Sequence, residues 1–287
     1  MVTAVSSLAL VGHKLSENEL QQITELQLTA TEDDHGGVIV EMNKPVEPEV
    51  FACTLRASIS LWRKQGKRGV WIKIPIELVN LVEAAVKQGF WFHHAEPKYL
   101  MLAYWIPEGS HTLPANASHV VRVGAFVMNE KREVLVVKEK CGIFLRTGEW
   151  KLPTGTVEEG EDVCTAVVRE VKEETAIDTE FLEVLAFGES HQSFFQKSEL
   201  FFLCILRPVS FDIQEQESEI LAAQWMPWEE YLAQPVVQES ELLKLTADIC
   251  LAKKDENYSG FSPFPTKLRF TDQKSHLYLN YQDLKRQ

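Results

Sequence analysis

The stretch GTVEEGEDVCTAVVREVKEETAI, residues 155–177, carries the strongest pattern in the chain. A helical period of 100° per residue places its aliphatic side chains on one arc and its charged side chains on another. The apolar arc contains Cys164, Val167, Val168 and Val171, and the charged arc contains Arg169, Glu170, Glu173 and Glu174. The spacing predicts a loop that leads into an amphipathic helix with one buried face and one acidic face.

The acidic face predicts a binding site for a hard cation. Glu170 and Glu174 are four residues apart, about 6 Å along the helix axis, so their oxygens can converge on one or two cations. All-oxygen ligation completed by water suits Mg²⁺ or Mn²⁺. Arg169 lies four residues before Glu173 and can hold that carboxylate in place. The alternative is a solvated acidic face without a ligand, and the helix alone does not decide between the two.

The whole stretch resembles the signature of the Nudix hydrolases, G-x5-E-x7-R-E-U-x-E-E-x-x-U, where U is aliphatic. Gly155, Glu161 and Arg169 stand at the spacing of that pattern, and the carboxylates of the helix follow it. The departure is Ala176, where the family has Gly in the turn that leaves the helix. A positive φ at that position costs Ala about 1 kcal/mol relative to Gly. The departure concerns only the end of the helix, and the carboxylates of the signature are intact.

The resemblance implies a role for each charged residue of the signature. The implied metal ligands for Mg²⁺, or Mn²⁺ as a substitute, are Glu170, Glu174 and the backbone carbonyl of Thr154. The implied catalytic residues are Glu173, which binds metal through water or acts as the base, Arg169, which orients the carboxylates, and Glu161, which ties the loop to Arg169. Phosphoryl transfer requires this combination, because charge on the phosphate oxygens must be neutralised and a water must be positioned and activated.

Residues outside the signature complete the predicted site. Family members commonly add a Glu from the loop ahead of a late strand that carries Trp, and Glu219, six residues before Trp225, matches that placement as a further ligand or base. Glu215 and Glu217 in the same loop match less well. Four aromatic residues are candidates to stack on a substrate base: Phe144, Trp150, Phe194 and Phe195. Packing of the strand ends in the core is the alternative for each of them.

Composition restricts the class of protein. The 287 residues include 42 Asp and Glu against 29 Lys and Arg, a net charge of −13. This balance argues against a nucleic-acid backbone or an anionic membrane surface as the main partner. No run of eighteen apolar residues predicts a membrane span. The five cysteines are an odd number without CxxC spacing, which favours reduced thiols and a cytoplasmic protein.

The order of predicted elements indicates two α/β domains. The first, residues 34–106, follows a mobile tail at 1–33 and predicts strands at 38–42 and 70–75, helices at 48–66 and 78–86, and two further strands before residue 106. A Pro- and Gly-containing linker spans 107–118. The second domain, 119–260, predicts strands at 120–129 and 133–140, the signature helix, strands at 181–190, 199–209 and 219–227, and one helix at 239–254. The pattern does not place the tail at 261–287.

A wider resemblance concerns the substrate. The segments HHAEPKYLML, LPANASHVVRVGAF, WKLPTG and SEILAAQWMPWEEY look like those of plant-type Nudix hydrolases. Such proteins carry a small α/β acetyltransferase-like domain before the Nudix α/β/α sandwich with its mixed sheet. The resemblance implies a homodimeric diphosphatase that cleaves ADP-ribose or NADH, a small-molecule diphosphate substrate, and releases AMP.

Departures from related patterns leave the substrate open. The array SQPWPFPxS of NADH enzymes, the upstream coenzyme A motif and the proline that many ADP-ribose enzymes carry beyond the signature are absent from this sequence. Two alternatives follow: a hydrolase of another diphosphate, such as coenzyme A or an isoprenyl diphosphate like geranyl diphosphate, or a non-catalytic diphosphate-binding regulator. The first domain shows no acyl-CoA phosphate loop, so a subunit contact is its predicted role.

Overall fold

The computed structural model describes residues 27–140, 148–215, 219–255, 257–267 and 274–280. For residues 193–194 it describes the backbone and not the side chains. The chain divides into two compact units, residues 1–116 and 117–287. Both units combine helices with mixed sheets, which confirms the predicted α/β class. Among the described helices, none combines the length and apolar character needed to cross a membrane.

The first unit is a five-stranded sheet with helices. Its strands are β1 Thr31–Glu32, β2 Val38–Glu41, β3 Gly69–Pro75, β4 Trp91–Glu96 and β5 Tyr99–Trp105, in the order β1-β2-β3-β5-β4. Strands β2 and β3 are parallel, and the other neighbours are antiparallel. Helix α1, Pro48–Lys64, begins with proline, whose fixed φ suits a first helical turn. Its apolar stripe, including Phe51, Leu55 and Trp62, packs in the core of this unit.

The second predicted helix of this unit differs from the expectation. Residues Ile76–Leu81 form a 3₁₀ helix, and the α-helix α2 covers only Val82–Lys87. Leu78 has non-helical backbone angles, with φ −113° and ψ 22°. Over so short a segment, an α-helix and a 3₁₀ helix have similar apolar spacing, so the periodicity could not distinguish one from the other.

The described part of the second unit contains three sheets. Its strands are β6 His119–Val127, β7 Glu133–Glu139, β8 Thr154–Thr156, β9 Thr179–Phe194, β10 Lys197–Pro208, β11 Ile220–Pro227, β12 Ser262–Lys267 and β13 Lys274–Leu279. Strands β8-β6-β10-β9 form one sheet, in which β10 is parallel to β6 and the other neighbours are antiparallel. Strand β11 pairs with β7 in a second sheet, and β12 with β13 in a hairpin.

Helices cover opposite faces of this unit's sheets. They are α3 Val163–Thr175, α4 Trp228–Ala233, α5 Pro235–Glu239 and α6 Glu241–Lys254. Alternate residues of β6 enter separate cores: Ala125 and Val127 pack with α3, whereas Phe126 packs with α4 to α6. Because successive strand side chains point to opposite faces, this alternation sets helices on both sides of the sheet, in a sandwich.

One further prediction about this unit was wrong in detail. The polar segment between the strands predicted at 181–190 and 199–209 is a continuous hairpin, in which β9 extends to residue 194. Phe195 and Gln196 form its turn with φ of 43° and 64°. Turns of this kind are normally signalled by Asn-Gly or Asp-Gly, which this sequence lacks. The helix predicted at 239–254 is observed as α6, in which Ser240 accepts the Leu243 N–H as the N-cap. The short helices α4 and α5 that precede it were not predicted.

Candidate active site

Helix α3 places the charged residues of the signature. Asp162 precedes it in an extended conformation, and Val167 and Val171 are buried against the sheet as the apolar arc predicted. The helix ends at Thr175, and Ala176 follows it with φ 60° in the left-handed region. The position where the family has Gly therefore has the backbone conformation for which Gly is favoured, and Ala adopts it with strain.

Arg169 connects helix α3 to the loop that precedes it. Its Nε donates to Glu161 Oε1 at 2.9 Å and its Nη2 to Glu161 Oε2 at 2.8 Å, a two-pronged ion pair. Glu161 Oε2 also accepts the N–H of Glu158 at 3.0 Å. The hydrogen bond from Arg169 lowers the pKa of Glu161. Glu161 is therefore a satisfied carboxylate that fixes the loop to the helix, in the arrangement that the resemblance implied.

The remaining N–H groups of Arg169 reach two more carboxylates. Its Nη1 donates to Glu170 Oε1 and to Glu173 Oε2, both at 2.9 Å, and its Nη2 donates to the carbonyl of Thr156 at 3.0 Å. The hydrogen bonds that Arg169 donates to Glu161 are the main cause that raises the pKa of Arg169, so the guanidinium stays charged. One side chain thus orients the acidic face of α3 relative to the loop.

Gly155 is required by the close approach of Glu170. A Cβ at this position would overlap the carboxyl group of Glu170. Burial raises the pKa of Glu170, although hydrogen bonding from Arg169 opposes the shift. The glycine at the start of the signature therefore makes room for a carboxylate of the helix, and its conformational freedom is not the reason for it, because its φ is not in the positive region.

Glu174 differs from the other carboxylates of the helix. Its residue surface is 6% exposed, and its Oε2 is buried without a hydrogen-bond partner. Burial is the main cause that raises the pKa of Glu174 to about 8, and repulsion from Glu170, Glu139 and Glu219 adds to it while Lys151 opposes it. A buried carboxylate oxygen without a hydrogen-bond partner is unfavourable, and a bound cation would offset the cost of its desolvation.

Thr154 lies at the start of β8, beside these carboxylates. Ala125 donates its N–H to the Pro153 carbonyl and Val157 to the Val121 carbonyl, so the alternation of the ladder makes Gly124 and Thr154 a non-hydrogen-bonded pair. The Thr154 carbonyl is therefore turned away from β6, which leaves it available for a ligand.

Two residues near Glu174 were not predicted. Lys151 Nζ donates to Thr154 Oγ1 at 2.7 Å and forms an ion pair with Glu139. Glu139 ends β7 and is opposite Ile220, the residue after Glu219. No spacing rule links residues 139, 151 and 174, because strand pairing alone brings them together. The one signal in the sequence is that Lys151 is a charged residue between the apolar residues Trp150 and Leu152.

The predicted residue Glu219 is exposed and directly precedes β11. Its backbone carbonyl accepts the N–H of Lys140 at 2.7 Å, which ties this loop to the end of β7. Its effect on the pKa of Glu174 places the Glu219 carboxylate in the electrostatic neighbourhood of the site. Glu217, the weaker candidate, lies outside the described residues, and Glu215 is exposed.

The aromatic candidates have different outcomes. Phe144 lies outside the described residues, and so does the side chain of Phe194 in β9. Trp150 is half-buried at the edge of the core formed by α4 to α6. Its backbone exchanges hydrogen bonds with the Gln234 side chain at 2.7 and 3.1 Å, and Lys138 Nζ lies 4.6 Å from the centre of its ring. Lys138 therefore already contacts the ring that was a stacking candidate.

The site offers the donors that a hard cation requires. Glu174 has an oxygen without a partner, Glu170 lies next to it on the helix face, and the Thr154 carbonyl is turned away from its strand partner. Within the described ranges, no three His, Cys, Asp or Glu side chains already form a group that could hold a metal ion. One oxygen of Glu170 accepts a hydrogen bond from Arg169.

Comparison with known proteins gives the family. A model described as the Nudix hydrolase domain matches residues 28–106, and one described as the NUDIX domain matches residues 118–245. Nudix hydrolase 2 of Arabidopsis thaliana is 57% identical, with 90% of this chain and 92% of the relative covered. The chain belongs to the Nudix hydrolases. It is therefore a hydrolase of diphosphate-containing substrates, and the carboxylates around Arg169 lie in the family's signature.

More distant relatives belong to the same family of proteins. Nudix hydrolase 10 of Arabidopsis thaliana is 55% identical, with 89% of this chain and 91% of the relative covered. Nucleoside diphosphate-linked moiety X motif 6 of Homo sapiens is 36% identical, with 68% of this chain and 63% of the relative covered. Nudix hydrolases generally use divalent cations such as Mg²⁺. The likeness of the first unit to acetyltransferases stays a prediction, as do the domain boundaries given above.

Proposed function

We propose that this Nudix hydrolase cleaves the P–O–P linkage of a nucleoside diphosphate derivative, ADP-ribose or NADH, in a Mg²⁺-dependent reaction that releases AMP. The observation that carries the proposal is the contrast around Arg169. Its N–H groups satisfy Glu161, Glu170 and Glu173, whereas the neighbouring Glu174 keeps a buried oxygen without a partner. A buried carboxylate left unpaired beside an oriented set of carboxylates supports a cation site.

Glu170, Glu174 and the backbone carbonyl of Thr154 would hold Mg²⁺ or Mn²⁺, with Glu219 as a further ligand. When bound, the cation offsets the charge of the diphosphate oxygens and makes water a better nucleophile. Oxygen donors of this kind match the preference of both cations.

The chain's own residues orient the reacting groups. Arg169 holds the carboxylates of α3 in a fixed relation to the loop, so the ligands need not be organised again for each substrate. Glu173 is the most exposed carboxylate of the signature helix, with 54% of its side chain accessible, and can accept a proton from water. Glu219, on the loop ahead of β11, is the other candidate for the base.

The choice of substrate rests on the resemblance to plant-type enzymes. The name of the human relative refers to a nucleoside diphosphate-linked moiety, which supports a substrate of the same class. The aromatic residues proposed to contact the substrate base are Trp150, Phe144 and Phe194. Of these, Trp150, four residues before Thr154, is the one whose side chain the structure describes. The protein is further proposed to be a cytoplasmic homodimer.

The test is a chromatographic assay of hydrolysis with and without Mg²⁺. Its substrates are ADP-ribose, NADH, NAD⁺, coenzyme A, FAD and geranyl diphosphate, and Glu174→Gln serves as the blank. AMP from ADP-ribose or NADH is expected. Turnover of coenzyme A or geranyl diphosphate alone would replace the nucleotide proposal, and no turnover of any diphosphate would favour a binding role. Light scattering of the full chain tests the dimer, since a monomeric mass would exclude it.

A further inference from the structure

The C-terminal hairpin formed by β12 and β13 packs on the start of helix α3. It lies outside residues 118–245, the range matched by the NUDIX domain, so the family signature does not account for its contacts. Phe261, the residue before β12, exchanges backbone hydrogen bonds with Val184 at 3.0 and 2.8 Å, which fixes the hairpin to β9. From there Tyr278 of β13 reaches the core in which Val163 of α3 is packed. The hairpin therefore connects β9 with the start of α3.

Helix α3 lacks a cap from its own N-cap residue. Asp162 occupies the N-cap position with extended backbone angles, φ −79° and ψ 146°, but its side chain makes no capping hydrogen bond. The first N–H groups of a helix have no acceptor within the helix and need one from elsewhere. The N–H of Cys164, the second residue of α3, donates to the Tyr278 hydroxyl at 3.3 Å. Tyr278 therefore supplies the acceptor that an N-cap Ser, Thr or Asp normally provides.

The side chain of Asp162 faces the same hairpin. Its Oδ2 lies 3.1 Å from Nδ1 of His276, which is two residues before Tyr278 on β13. This contact is an ion pair when His276 is protonated, and it is not aligned for a hydrogen bond. Because residues two apart on a strand project from the same face, His276 and Tyr278 contact α3 with one face of the hairpin. One strand thus contacts both the last residue of the loop and the first turn of the helix.

This junction between loop and helix positions the charged residues of the signature. Asp162 directly follows Glu161, whose carboxylate accepts hydrogen bonds from Nε and Nη2 of Arg169 at 2.9 and 2.8 Å. The same guanidinium donates to Glu170 and Glu173. A shift of the junction would move Glu161 relative to Arg169, and would change the orientation of the two carboxylates that Arg169 holds. A continuous series of contacts therefore links the hairpin to the acidic face of α3.

We propose that Tyr278 is a positioning residue for diphosphate hydrolysis, which caps α3 from the C-terminal hairpin and thereby holds Glu161 where it orients Arg169. This inference rests on the proposed function, in which Arg169 orients the cation ligand Glu170. Tyr278 acts through Glu161 and Arg169, so its contribution differs from that of a group that contacts the substrate. Burial raises the pKa of the Tyr278 hydroxyl, which therefore stays neutral at physiological pH.

The test is Tyr278→Phe, which removes the hydroxyl and keeps the ring. The matched control is Tyr258→Phe, because the Tyr258 hydroxyl also bonds to the backbone, at the Leu185 carbonyl at 2.6 Å, but in the core formed by α4 to α6. Circular dichroism identifies conditions in which both variants are folded.

Turnover is measured with ADP-ribose, or with whichever diphosphate the hydrolysis assay identifies. The kcat of Tyr278→Phe is expected to fall about three- to tenfold, because small displacements of orienting groups slow the reaction. Its KM is expected to stay within about twofold, since no substrate contact is lost. Tyr258→Phe is expected to keep kcat within about twofold, because its hydrogen bond is separate from α3.

Calorimetry of Mn²⁺ binding to the full-length chain separates positioning from general stability. Tyr278→Phe is expected to bind Mn²⁺ about threefold more weakly, and this loss should disappear in a Glu161→Gln background, where the contact through which Tyr278 acts is already broken. Equal losses in both backgrounds, an equal loss in Tyr258→Phe, or natural kcat and Mn²⁺ affinity in Tyr278→Phe would overturn this inference alone. Absence of both Mn²⁺ binding and hydrolysis in the natural chain would instead contradict the proposed function and the inference together.

Discussion

The loop before helix α3 and the last turn of that helix differ in how their carboxylates are compensated. In the loop, Glu161 accepts two N–H groups of Arg169 and one from the backbone, and hydrogen bonding from Arg169 lowers its pKa. In the last turn, Glu174 is buried with an oxygen that has no hydrogen-bond partner, and its pKa is raised. The Glu161 carboxylate is thus compensated by its own hydrogen bonds, whereas burial disfavours the ionised form of Glu174 and a bound cation would favour it.

The largest expected effect is that of replacing Glu174, the carboxylate with an unpartnered oxygen. Glu174→Gln removes a charged ligand with little change in size, so kcat for diphosphate hydrolysis is expected to fall by about two orders of magnitude or more, with the fold retained. Steady-state kinetics and circular dichroism check this. Near-normal turnover in a folded variant would show that Glu174 does not belong to the metal site.

The second prediction concerns the pH dependence of the metal-free protein. Glu174 has a folded pKa of about 8 against a usual value of 4.5, so between these values the folded chain binds more protons than the unfolded chain. Its stability therefore falls as the pH rises through this window. Glu174→Gln is expected to remove this loss, worth about 1–3 kcal/mol at about pH 8.5.

Urea denaturation in the presence of a chelator, at about pH 5 and about pH 8.5, measures this difference. Addition of Mn²⁺ should stabilise the natural chain and have little effect on Glu174→Gln. An identical loss of stability with pH in both proteins would assign the effect to other groups.

The third prediction concerns Glu161, whose carboxylate accepts three hydrogen bonds. Glu161 has a lowered pKa, so its contribution to stability is present above the ordinary pKa of Glu and is lost as the pH falls through the lowered value. Glu161→Gln is expected to cost about 1–2 kcal/mol at neutral pH, because Arg169 loses its two-pronged partner. Thermal denaturation at neutral and acidic pH checks this, and a deficit that grows upon acidification would contradict the assignment.

The smallest expected effect concerns the residue after the helix. Ala176 has φ 60°, and Ala176→Gly is expected to stabilise the protein by up to about 1 kcal/mol because Gly adopts this conformation without strain. Activity should not change, since the carboxylates are unaffected. Chemical denaturation is the measurement, with Ala166→Gly as the control, because Ala166 lies inside α3 and its replacement should destabilise. A destabilised Ala176→Gly would contradict the argument from strain.

Prediction from the sequence succeeded where contacts are local. The spacing of Val167 and Val171 specified the buried face of α3, and the family pattern specified how Arg169 would meet Glu161. It was wrong at the hairpin after β9, where Phe195 and Gln196 adopt positive φ without the usual turn residues. It was incomplete after residue 260, where β12 and β13 form a hairpin whose Tyr278 hydroxyl accepts the N–H of Cys164 at 3.3 Å.

The sequence by itself determined the class of reaction and the order of the charged residues on the signature helix, because a helix converts spacing directly into proximity. Only the tertiary structure decided that Glu174 is buried and that Lys151 and Glu139 lie beside it. Burial depends on the sheet packed against the helix, and the meeting of residues 139, 151 and 174 depends on the pairing of distant segments, for which no periodicity exists in the chain.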